Sequence, residues 1–473
     1  RDEALKRLHD RLAGLTFLDP ACGAGNFLVV AYRELRELER ELIKERYLRA
    51  GMARREGADP AKLTRLNVDQ FFGIEIDEFP AKIAEVALWM TDHIANVRLG
   101  EDFGEAYARI PLVAAPGIRH GDALEIDWNE VLPAERCSFV LGNPPFVGAK
   151  NQSPVQRAQV RRIANLGGSG GTLDYVAAWF ITAGTYASGG HARIAFVATN
   201  SITQGEQVAQ LWPILFHRQR LEIAFAHRTF AWPGRAAVHC VIVGLARAGE
   251  EPAQKRLFSY IDGKGEAIES AHDALTAYLF DAKNADRHLV VKEEARPING
   301  APRVIIGSKP IDGGYLIFDA NERAKLLAAE PKAERFLRPY IGSQEFINGG
   351  MRWILALQDA GPGEWRALPM VRDRVSKVSA YRRGEIAAFG KQERKAKPGF
   401  SSLALAETPT TFHVTVIPTG PFLCIPEVSS ENRAYVPLGW LEPPTIPSNL
   451  VRILPVASRW DFGVLTSAMH MAW

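Results

Sequence analysis

The sequence predicts an α/β protein, in which a doubly wound and mostly parallel sheet precedes a second region of α+β or mostly β character. Strand and helix patterns alternate through roughly the first 250 residues, as they do in such sheets. After that point, short proline-punctuated segments replace the alternation. The chain has 473 residues, of which 47% are hydrophobic, and this is enough for two or three domains with cores of their own.

The elements of the first region follow from hydrophobic spacing and turn residues. Leu5, Leu8 and Leu12 have helical spacing, and the apolar run from Leu15 to Leu18 predicts a short buried strand. The later predicted elements are, in order, a helix over 26–47, a strand over 66–77, a helix over 80–93, strand ends at 118–124 and 137–143, a helix over 173–186, a strand over 193–200, a helix over 205–216, and strands over 221–230 and 236–245. The last two strands are expected to be antiparallel neighbours.

The composition excludes several classes of protein. Four cysteines lie far apart without a CxxC pair, which indicates reduced thiols in a cytosolic protein rather than a disulfide framework or a zinc site. No apolar run is long enough to span a membrane, and no signal peptide opens the chain. The net charge of +3 does not by itself indicate a nucleic-acid partner. Because the chain starts at Arg1 and ends within an element at Trp473, we expect a fragment of a longer protein.

Two glycines and two polar residues follow the first predicted strand, in "FLDPACGAGNF". Gly23 and Gly25 let the backbone approach a ligand closely, and the start of the next helix presents free N–H groups. A Gly-x-Gly turn occurs in many nucleotide-binding folds and also in plain tight turns. Asp19 and Asn26 suit a cationic amino-acid ligand better than phosphate groups.

Acidic residues follow the next two strands. Glu75 and Asp77 end the second strand, where a carboxylate can accept hydrogen bonds from ribose hydroxyls. Asp122 ends the third strand, where it can accept a hydrogen bond from an adenine amino group. Ligands of open α/β sheets bind at the carboxyl ends of the strands, where all three acids fall. The alternative for Glu75 and Asp77 is a solvated strand end.

The segment "FVLGNPPFVGAK" ends a strand with an amide, two prolines and an aromatic ring. One interpretation is a loop cap, in which Asn143 tolerates turn geometry, Pro144 and Pro145 fix φ, and Phe146 folds back onto the core. The other interpretation is a binding loop, and it depends on the motifs that surround this segment.

These motifs carry a family resemblance. "DPACGAGNF", "GIEID", "GDAL" and "NPPF" occur in the order seen in class I S-adenosylmethionine-dependent amino-methyltransferases that act on DNA, and the chain resembles that family. The resemblance implies a Rossmann-like, seven-stranded methyltransferase sheet with S-adenosylmethionine as cofactor and no metal. Glu75 would bind the ribose, Ile76 one adenine face and Asp122 the adenine amino group. The full set of implied cofactor-binding residues is Asp19, Ala21, Cys22, Gly23, Asn26, Phe27, Glu75, Ile76, Asp122, Ala123 and Asn143.

The same resemblance implies that the loop after the fourth strand binds the target base of the DNA. The side-chain carbonyl of Asn143 and the backbone carbonyl of Pro144 would accept both hydrogens of an exocyclic amine and localise its lone pair toward the sulfonium methyl group. Pro144 and Pro145 would hold this geometry rigidly, which is electrostatic preorganisation. Phe146 would stack on a base flipped out of the duplex. Trp232 is the candidate for the opposite face.

Three further assignments leave alternatives open. Phe230 is second choice to Trp232, and a core aromatic at a strand end explains the tryptophan equally well. "LDYVAAWF", residues 173–180, corresponds to a segment that packs near cofactor and base in this family. Asp174 and Tyr175 are candidates there, although a buried helix accounts for the tyrosine as well.

The loop motif also narrows the target of the reaction. Asn-Pro-Pro-Phe is typical of enzymes that modify adenine N6, whereas serine-headed versions are commoner for cytosine N4. Related enzymes with Asn-Pro-Pro-Tyr methylate glutamine in release factors, and others modify RNA. The large second region argues against a release-factor enzyme.

A basic segment dominates the second region. Residues 371–400 hold many more Lys and Arg than acidic residues, and such a run can neutralise DNA phosphates. The alternative is a solvated charged helix. The predicted DNA-binding residues are Arg372, Arg374, Lys377, Arg382 and Arg383.

Longer motifs make the resemblance more specific. "IGSKPIDGGYLIF", "FLRPYIGSQEFINGGMRWILAL" and "IPEVSSENRAYVPLGWL" are similar to the MmeI-like group of single-chain type II restriction–modification enzymes. In that group a nuclease and a helical connector precede the methyltransferase, and a target recognition domain follows. The resemblance implies a methyltransferase domain over 1–295 and a target recognition domain over 296–473, cut short at Trp473. Further candidate DNA contacts are Arg352, Trp353, Arg433 and Tyr435.

The leading hypothesis is a site-specific DNA methyltransferase that transfers a methyl group from S-adenosylmethionine to adenine N6 in duplex DNA by base flipping. It would be part of a restriction–modification enzyme of the bacterial cytoplasm, with double-stranded DNA as partner and no membrane. The nuclease region of the parent is absent from this chain. The alternatives are cytosine-N4 methylation and a DNA-specificity fragment without catalytic activity.

Overall fold

The protein divides into two compact units, Arg1–Glu293 and Glu294–Trp473. The computed structural model describes residues 1–48, 60–103, 115–167, 172–232, 238–261, 263–292, 294, 296–297, 300–392, 397–430 and 433–472. The predicted domain boundary after residue 295 falls on a residue outside this set. All four cysteines are buried and unpaired. None of the described helices is both long and apolar enough to cross a membrane.

The first unit is built on one large sheet. Its strands are β1 (Phe17–Asp19), β2 (Phe71–Glu75), β3 (Gly117–His120), β4 (Phe139–Gly142), β5 (Arg193–Thr199), β6 (Leu221–Ala231), β7 (His239–Arg247), β8 (Lys255–Ile261) and β9 (Lys264–His272). They lie in the order β3-β2-β1-β4-β5-β7-β6-β8-β9. The neighbours from β3 to β5 are parallel, and β7 is antiparallel to both β5 and β6. The predicted α/β class and the predicted antiparallel pair are therefore confirmed.

The expected count of seven strands was wrong for this sheet. Strands β1 to β7 are followed by β8, which pairs in parallel with the middle of β6, and by β9, which forms a hairpin with β8. Without β8, the side of β6 that faces away from β7 would be the sheet edge, with a long row of free N–H and C=O groups. The added hairpin pairs with part of that row and moves the edge outward to β9.

Helices cover both faces of this sheet. They are α1 (Asp2–Ala13), α2 (Asn26–Ile43), α3 (Pro60–Leu63), α4 (Glu78–Phe103), α5 (Pro154–Ala164), α6 (Val176–Ala187) and α7 (Glu206–Pro213). Alternation along β1 sends Phe17 into a core shared with α1, α2 and α4, and Leu18 into a core shared with α5, α6 and α7. α4 continues well past its predicted end at residue 93 because Asn96 and Leu99 extend its buried face.

The described residues of the second unit form two four-stranded sheets. Its strands are β10 (Ile305–Ile306), β11 (Ile317–Phe318), β12 (Leu337–Ile341), β13 (Trp353–Leu355), β14 (Phe422–Pro426), β15 (Gly439–Leu441), β16 (Ile446–Pro447) and β17 (Val451–Pro455). The sheet orders are β10-β17-β14-β15 and β11-β13-β12-β16. Its helices are α8 (Ala320–Ala329), α9 (Ser343–Asn348), α10 (Pro362–Arg366), α11 (Pro369–Arg383), α12 (Phe400–Ala404), α13 (Arg459–Leu465) and α14 (Ala468–Ala472).

Arg382 on α11 is a structural residue and not the DNA contact that its sequence context predicted. It is fully buried and continues the apolar stripe of Val371, Val375 and Val378. Its guanidinium donates hydrogen bonds of 2.7–3.0 Å to five backbone carbonyls, those of Pro310, Ile311, Leu405, Thr408 and Thr411. Because these carbonyls belong to separate loops, the side chain holds those loops together and cannot reach a phosphate.

We expect Arg382→Met to lower the free energy of unfolding by about 3–5 kcal/mol, because it leaves five carbonyl partners unpaired. The measurement is urea or thermal unfolding of the full chain. Arg372→Met, at an exposed position of the same helix, is the matched control and should stay within about 0.5 kcal/mol of wild type. A stable Arg382→Met protein with weakened DNA binding would contradict the structural role.

Candidate functional site

The turn between β1 and α2 depends on two glycines in the left-handed backbone region. Gly23 has φ +54° and Gly25 has φ +84°. A Cβ atom on Gly25 would lie 2.9 Å from the Cβ of Ala84, so this glycine lets α2 begin directly against α4. A Cβ atom on Gly23 would meet nothing within 4 Å. The two glycines therefore differ in purpose: one serves helix packing, and the other shapes the exposed side of the turn.

Asp19 ends β1 beneath this turn and is buried. Its Oδ1 accepts a hydrogen bond of 3.0 Å from the Ala21 N–H, whereas its Oδ2 has no hydrogen-bond partner. Burial raises the pKa of Asp19 to about 7, and the nearby charge of Glu75 acts in the same direction. An unpaired buried carboxylate oxygen is unfavourable, so the site fits a cationic partner.

Asn143 lies at the end of the neighbouring strand, beside this carboxylate. β4 pairs in parallel with β1, and a Cβ atom on Gly142, its last residue, would collide with the Asp19 carboxylate. Asn143 follows at once, and its Oδ1 is buried without a hydrogen-bond partner. The predicted loop and the predicted glycine turn therefore adjoin, and each offers one unsatisfied acceptor oxygen.

The next three residues of the loop differ in burial. Pro144 is buried and Pro145 is exposed. Phe146 is half-buried and packs against the core on the α5–α7 side. The loop cap interpretation therefore explains why the ring of Phe146 is partly buried. It does not explain why Oδ1 of Asn143 is buried without a hydrogen-bond partner.

Glu75 joins the end of β2 to the glycine turn. Its Oε2 accepts a hydrogen bond of 2.9 Å from the Gly23 N–H, and its Oε1 accepts one of 3.1 Å from the Asp77 N–H. Each carboxylate oxygen keeps acceptor capacity, because it has a second lone pair. Ile76 follows with 61% of its surface exposed, and Asp77 is exposed as well. A solvent-exposed apolar side chain, Ile76, therefore directly follows the Glu75 carboxylate in the chain.

Asp122 follows β3 at the same edge of the sheet. The Gly121 N–H donates to the Glu75 carbonyl at 2.8 Å, which joins the two strand ends. Asp122 Oδ1 accepts from the Leu124 N–H at 2.9 Å, and Oδ2 accepts from Gln159 Nε2 at 2.8 Å. The carboxylate is therefore held in one orientation by both a backbone and a side-chain donor.

The remaining predicted cofactor residues surround the turn. Cys22 is buried, and its Sγ would lie 2.8 Å from a Cβ atom on Gly73, so it packs against β2. Burial raises the pKa of the Cys22 thiol, which therefore stays protonated. Asn26 and Phe27 open α2 and are exposed, while Ala123 is buried.

The predicted aromatic pair is not joined by any contact among the described residues. Trp232 follows β6, is half-buried, and donates its backbone N–H to the Val238 carbonyl at 2.9 Å. Its ring lies 6.4 Å from that of Phe230. β6 ends at the same sheet edge as β4, with β5 and β7 between them. Trp232 therefore lies at the correct edge, and its partnership with Phe146 stays a prediction.

Sequence reasoning missed the side-chain amides that hold this edge together. Gln159 on α5 contacts Asp122, and Gln152 Nε2 donates to the carbonyls of Val147 and Leu173 at 3.1 and 2.8 Å. Gln207 Oε1 accepts from the Asp174 N–H at 2.8 Å. Glutamines are common on helix surfaces and in loops, so nothing in their type or spacing distinguished these three.

The predicted DNA-binding residues of α11 divide by exposure. Arg372, Lys377 and Arg383 are exposed, the last two in surface ion pairs with Asp373 and Glu407. Arg374 lies 4.6 and 4.4 Å from the ring centroids of Phe318 and Phe389 and pairs with Glu322. Arg352 pairs with Glu345 at 2.8 Å. Residues 393–396 of the basic segment lie outside the described part of the chain.

Two family models match two separate parts of the chain. The description "MmeI, DNA-methyltransferase domain" matches residues 1–259, and "MmeI, target recognition domain" matches residues 285–473. The chain belongs to the MmeI family. The resemblance inferred from the sequence motifs is thereby confirmed.

Two relatives of the family are similar over almost the whole chain. DNA methyltransferase A of Bacillus subtilis (strain 168) is 34% identical over 476 residues, which cover 99% of this chain and 51% of that protein. The solved structure of the type IIL restriction–modification enzyme MmeI in complex with DNA is 41% identical, with a TM-score of 0.89, and the match covers 100% of this chain and 61% of that chain. The chain thus spans about half of the curated relative and under two thirds of the solved MmeI-family chain.

Proposed function

We propose that this chain forms the methyltransferase and target-recognition parts of a restriction–modification enzyme and methylates adenine N6 in duplex DNA. The observation that carries the proposal is the adjacency of two buried acceptor oxygens without partners, Asp19 Oδ2 and Asn143 Oδ1, at neighbouring strand ends. One suits a cationic methyl donor and the other suits an amine. Membership in the MmeI family supplies the class of reaction.

The residues of the strand ends fit S-adenosylmethionine. The Asp19 carboxylate would bind the ammonium group, Glu75 the ribose hydroxyls, and Asp122 the adenine amino group, with Ile76 against the adenine face. Cys22, Gly23 and Asn26 would line the methionine part, and Ala21, Phe27 and Ala123 would complete the walls. When bound, S-adenosylmethionine supplies an electrophilic methyl group on a sulfonium centre.

The Asn143 loop would prepare the amine. An exocyclic amine is a poor nucleophile because its lone pair is delocalised into the base. Asn143 Oδ1 and the Pro144 carbonyl would each accept one amine hydrogen, and the lone pair would then point at the methyl group. Since Pro144 and Pro145 fix the loop, little reorganisation accompanies the reaction, and the gain is electrostatic and orientational.

Aromatic rings would hold the base outside the duplex. Phe146 is half-buried beside Asn143 and would stack on one face, and Trp232 would cover the other. Stacking offsets part of the free energy that is lost when the base leaves the helix. The motif Asn-Pro-Pro-Phe favours adenine over cytosine as the base.

The second unit would bind double-stranded DNA. It matches the target recognition domain of the family, and the related MmeI was solved in complex with DNA. Arg372, Lys377 and Arg383 are the exposed cations of α11 that would neutralise phosphates. Arg374 is held between two rings and an acid, so its contribution would be smaller.

The experiment that tests the proposed function supplies the protein with S-adenosylmethionine carrying a labelled methyl group and with unmethylated genomic DNA. Digestion to nucleosides should place the label in N6-methyl-2′-deoxyadenosine. Label in N4-methylcytosine would favour the cytosine alternative, and no label in DNA would contradict the proposal.

Asn143→Ala should lower the rate of methyl transfer at least about 100-fold, because it removes one of the two acceptors of the amine. Its affinity for S-adenosylmethionine should stay within a few-fold of wild type. The measurement is initial label transfer alongside equilibrium cofactor binding. Asn151→Ala, which removes an exposed amide of the same loop region, is the control and should transfer at the wild-type rate. Near-normal turnover of Asn143→Ala would remove this residue from its role.

Cofactor affinity should fall below pH 7. Burial raises the pKa of Asp19 to about 7, so this group is protonated below that pH and loses its attraction for the ammonium group. We expect the Kd for S-adenosylmethionine to rise by up to about tenfold per pH unit between pH 7 and pH 5.5. Asp19→Asn should bind weakly with a flat profile, whereas the exposed control Asp77→Asn should keep the wild-type profile. A flat wild-type profile would show that Asp19 does not bind the cation.

Replacing Arg372, Lys377 and Arg383 by Gln should weaken DNA binding and flatten its dependence on salt. Each lost phosphate contact should reduce the slope of log K against log salt concentration by about 0.9. The measurement is a salt series of binding curves with genomic DNA fragments. Lys6, Arg7 and Arg11 on α1 are exposed cations, and their replacement by Gln is the charge-matched control, which should leave the slope unchanged. An unaltered slope in the triple variant would identify α11 as a solvated face.

A further inference from the structure

Hydrogen bonds at the start of α6 join two parts of the site that lie on different strands. The Tyr175 hydroxyl donates to Gln159 Oε1 at 2.7 Å, and Gln159 Nε2 donates to Asp122 Oδ2 at 2.8 Å. The Tyr175 backbone N–H donates to the Val147 carbonyl at 3.0 Å, directly after Phe146. One chain of bonds therefore runs from the acid after β3 to the loop after β4.

The chemistry of its neighbours fixes the direction of this chain. Gln159 Nε2 faces two carboxylates, Asp122 at 2.8 Å and Glu125 at 2.9 Å, which only accept hydrogen bonds. Its Oε1 must therefore face the Tyr175 hydroxyl. Burial raises the pKa of Tyr175 to about 12, and the charges of Asp122 and Glu125 act in the same direction, so the hydroxyl stays protonated and donates. Gln159 and Tyr175 are each only 6% exposed, so water competes little for these bonds.

The loop end of the chain is held from two sides. Asp174 Oδ1 accepts from the Val147 N–H at 3.2 Å, and Asp174 Oδ2 accepts from Thr199 Oγ1 at 3.0 Å. Gln152 Nε2 donates to the same Val147 carbonyl that Tyr175 binds, at 3.1 Å. Both backbone groups of Val147 are thus fixed, and only Pro144, Pro145 and Phe146 separate this anchor from Asn143.

We propose that Tyr175 and Gln159 are positioning residues that couple the cofactor half of the site to the base-binding half. They hold Asp122 in the orientation that the adenine amino group needs, and they tie it to the loop that carries Asn143. When either the cofactor or the DNA base binds, it orders the shared hydrogen bonds. The second ligand then pays less conformational entropy, so each ligand strengthens the binding of the other. This inference rests on the proposed function.

The test compares two buried tyrosines of the same helical region. Tyr175→Phe breaks the chain at the Gln159 contact. Tyr186→Phe is the matched control, since Tyr186 is equally buried and donates to the Leu132 carbonyl at 2.6 Å without touching the chain. Both variants lose one buried hydrogen bond, so their melting temperatures should fall alike. The readouts are the Kd for S-adenosylmethionine with and without unmethylated genomic DNA, and kcat at saturating cofactor.

We expect Tyr175→Phe to raise the cofactor Kd about tenfold in the presence of DNA, to raise it less without DNA, and to lower kcat about tenfold. Tyr186→Phe should change each value by less than about twofold. Gln159→Leu should raise the Kd as Tyr175→Phe does, and the double variant should add nothing further, because both changes interrupt one chain.

The outcomes separate the two proposals. Equal behaviour of Tyr175→Phe and Tyr186→Phe, in a protein whose wild type binds cofactor and methylates DNA, would overturn the coupling alone. Tighter cofactor binding by Gln159→Leu would also overturn it, since Gln159 would then compete with adenine for Asp122. A wild type that neither binds S-adenosylmethionine nor transfers a methyl group would overturn the proposed function and the coupling with it.

Discussion

The parallel pairing of β1 with β4 brings the Asp19 carboxylate against the backbone of Gly142, so closely that no side chain larger than glycine fits there. The rest of the site depends on this approach. Asp19 is buried at this contact, and burial raises its pKa. Asn143 follows Gly142 directly, so it lies immediately beyond the contact. A cationic group and an amine can therefore be held next to each other by residues of two adjacent strands.

The sequence predicted those parts of the fold and site that depend on local patterns. The α/β class and the β6–β7 pair follow from alternation and strand length, and the positions of Asp19, Glu75, Asp122 and Asn143 follow from where strands end. Parallel strands bring their carboxyl ends to one edge, so local reasoning sufficed to place these residues there. The assignment to the MmeI family required longer motifs, which were recognised as whole sequences and not from a physical argument about each residue.

The parts that sequence reasoning missed depend on contacts between distant segments. Arg382 belonged to a basic run, and only its helical register with Val371, Val375 and Val378 indicated a buried position. The hairpin of β8 and β9 had a turn signal in Asp262-Gly263, but β9 has an exposed, polar pattern that resembles a loop. Gln159 had no signal at all, because its partners Asp122 and Tyr175 become neighbours only when the sheet forms.

Arg382 and Asp19 are both buried charged residues, and they differ in how completely their hydrogen-bonding capacity is used. Arg382 is fully buried and finds a carbonyl for each of its donors, which leaves it nothing to offer a ligand. Asp19 is as deeply buried, yet one of its oxygens has no partner. A buried charge without a partner is unfavourable, and it is expected at positions where a ligand supplies the missing partner. We therefore assign the half-satisfied acid to the proposed binding site, whereas the fully satisfied arginine stabilises the fold, although sequence composition alone would assign Arg382 to function.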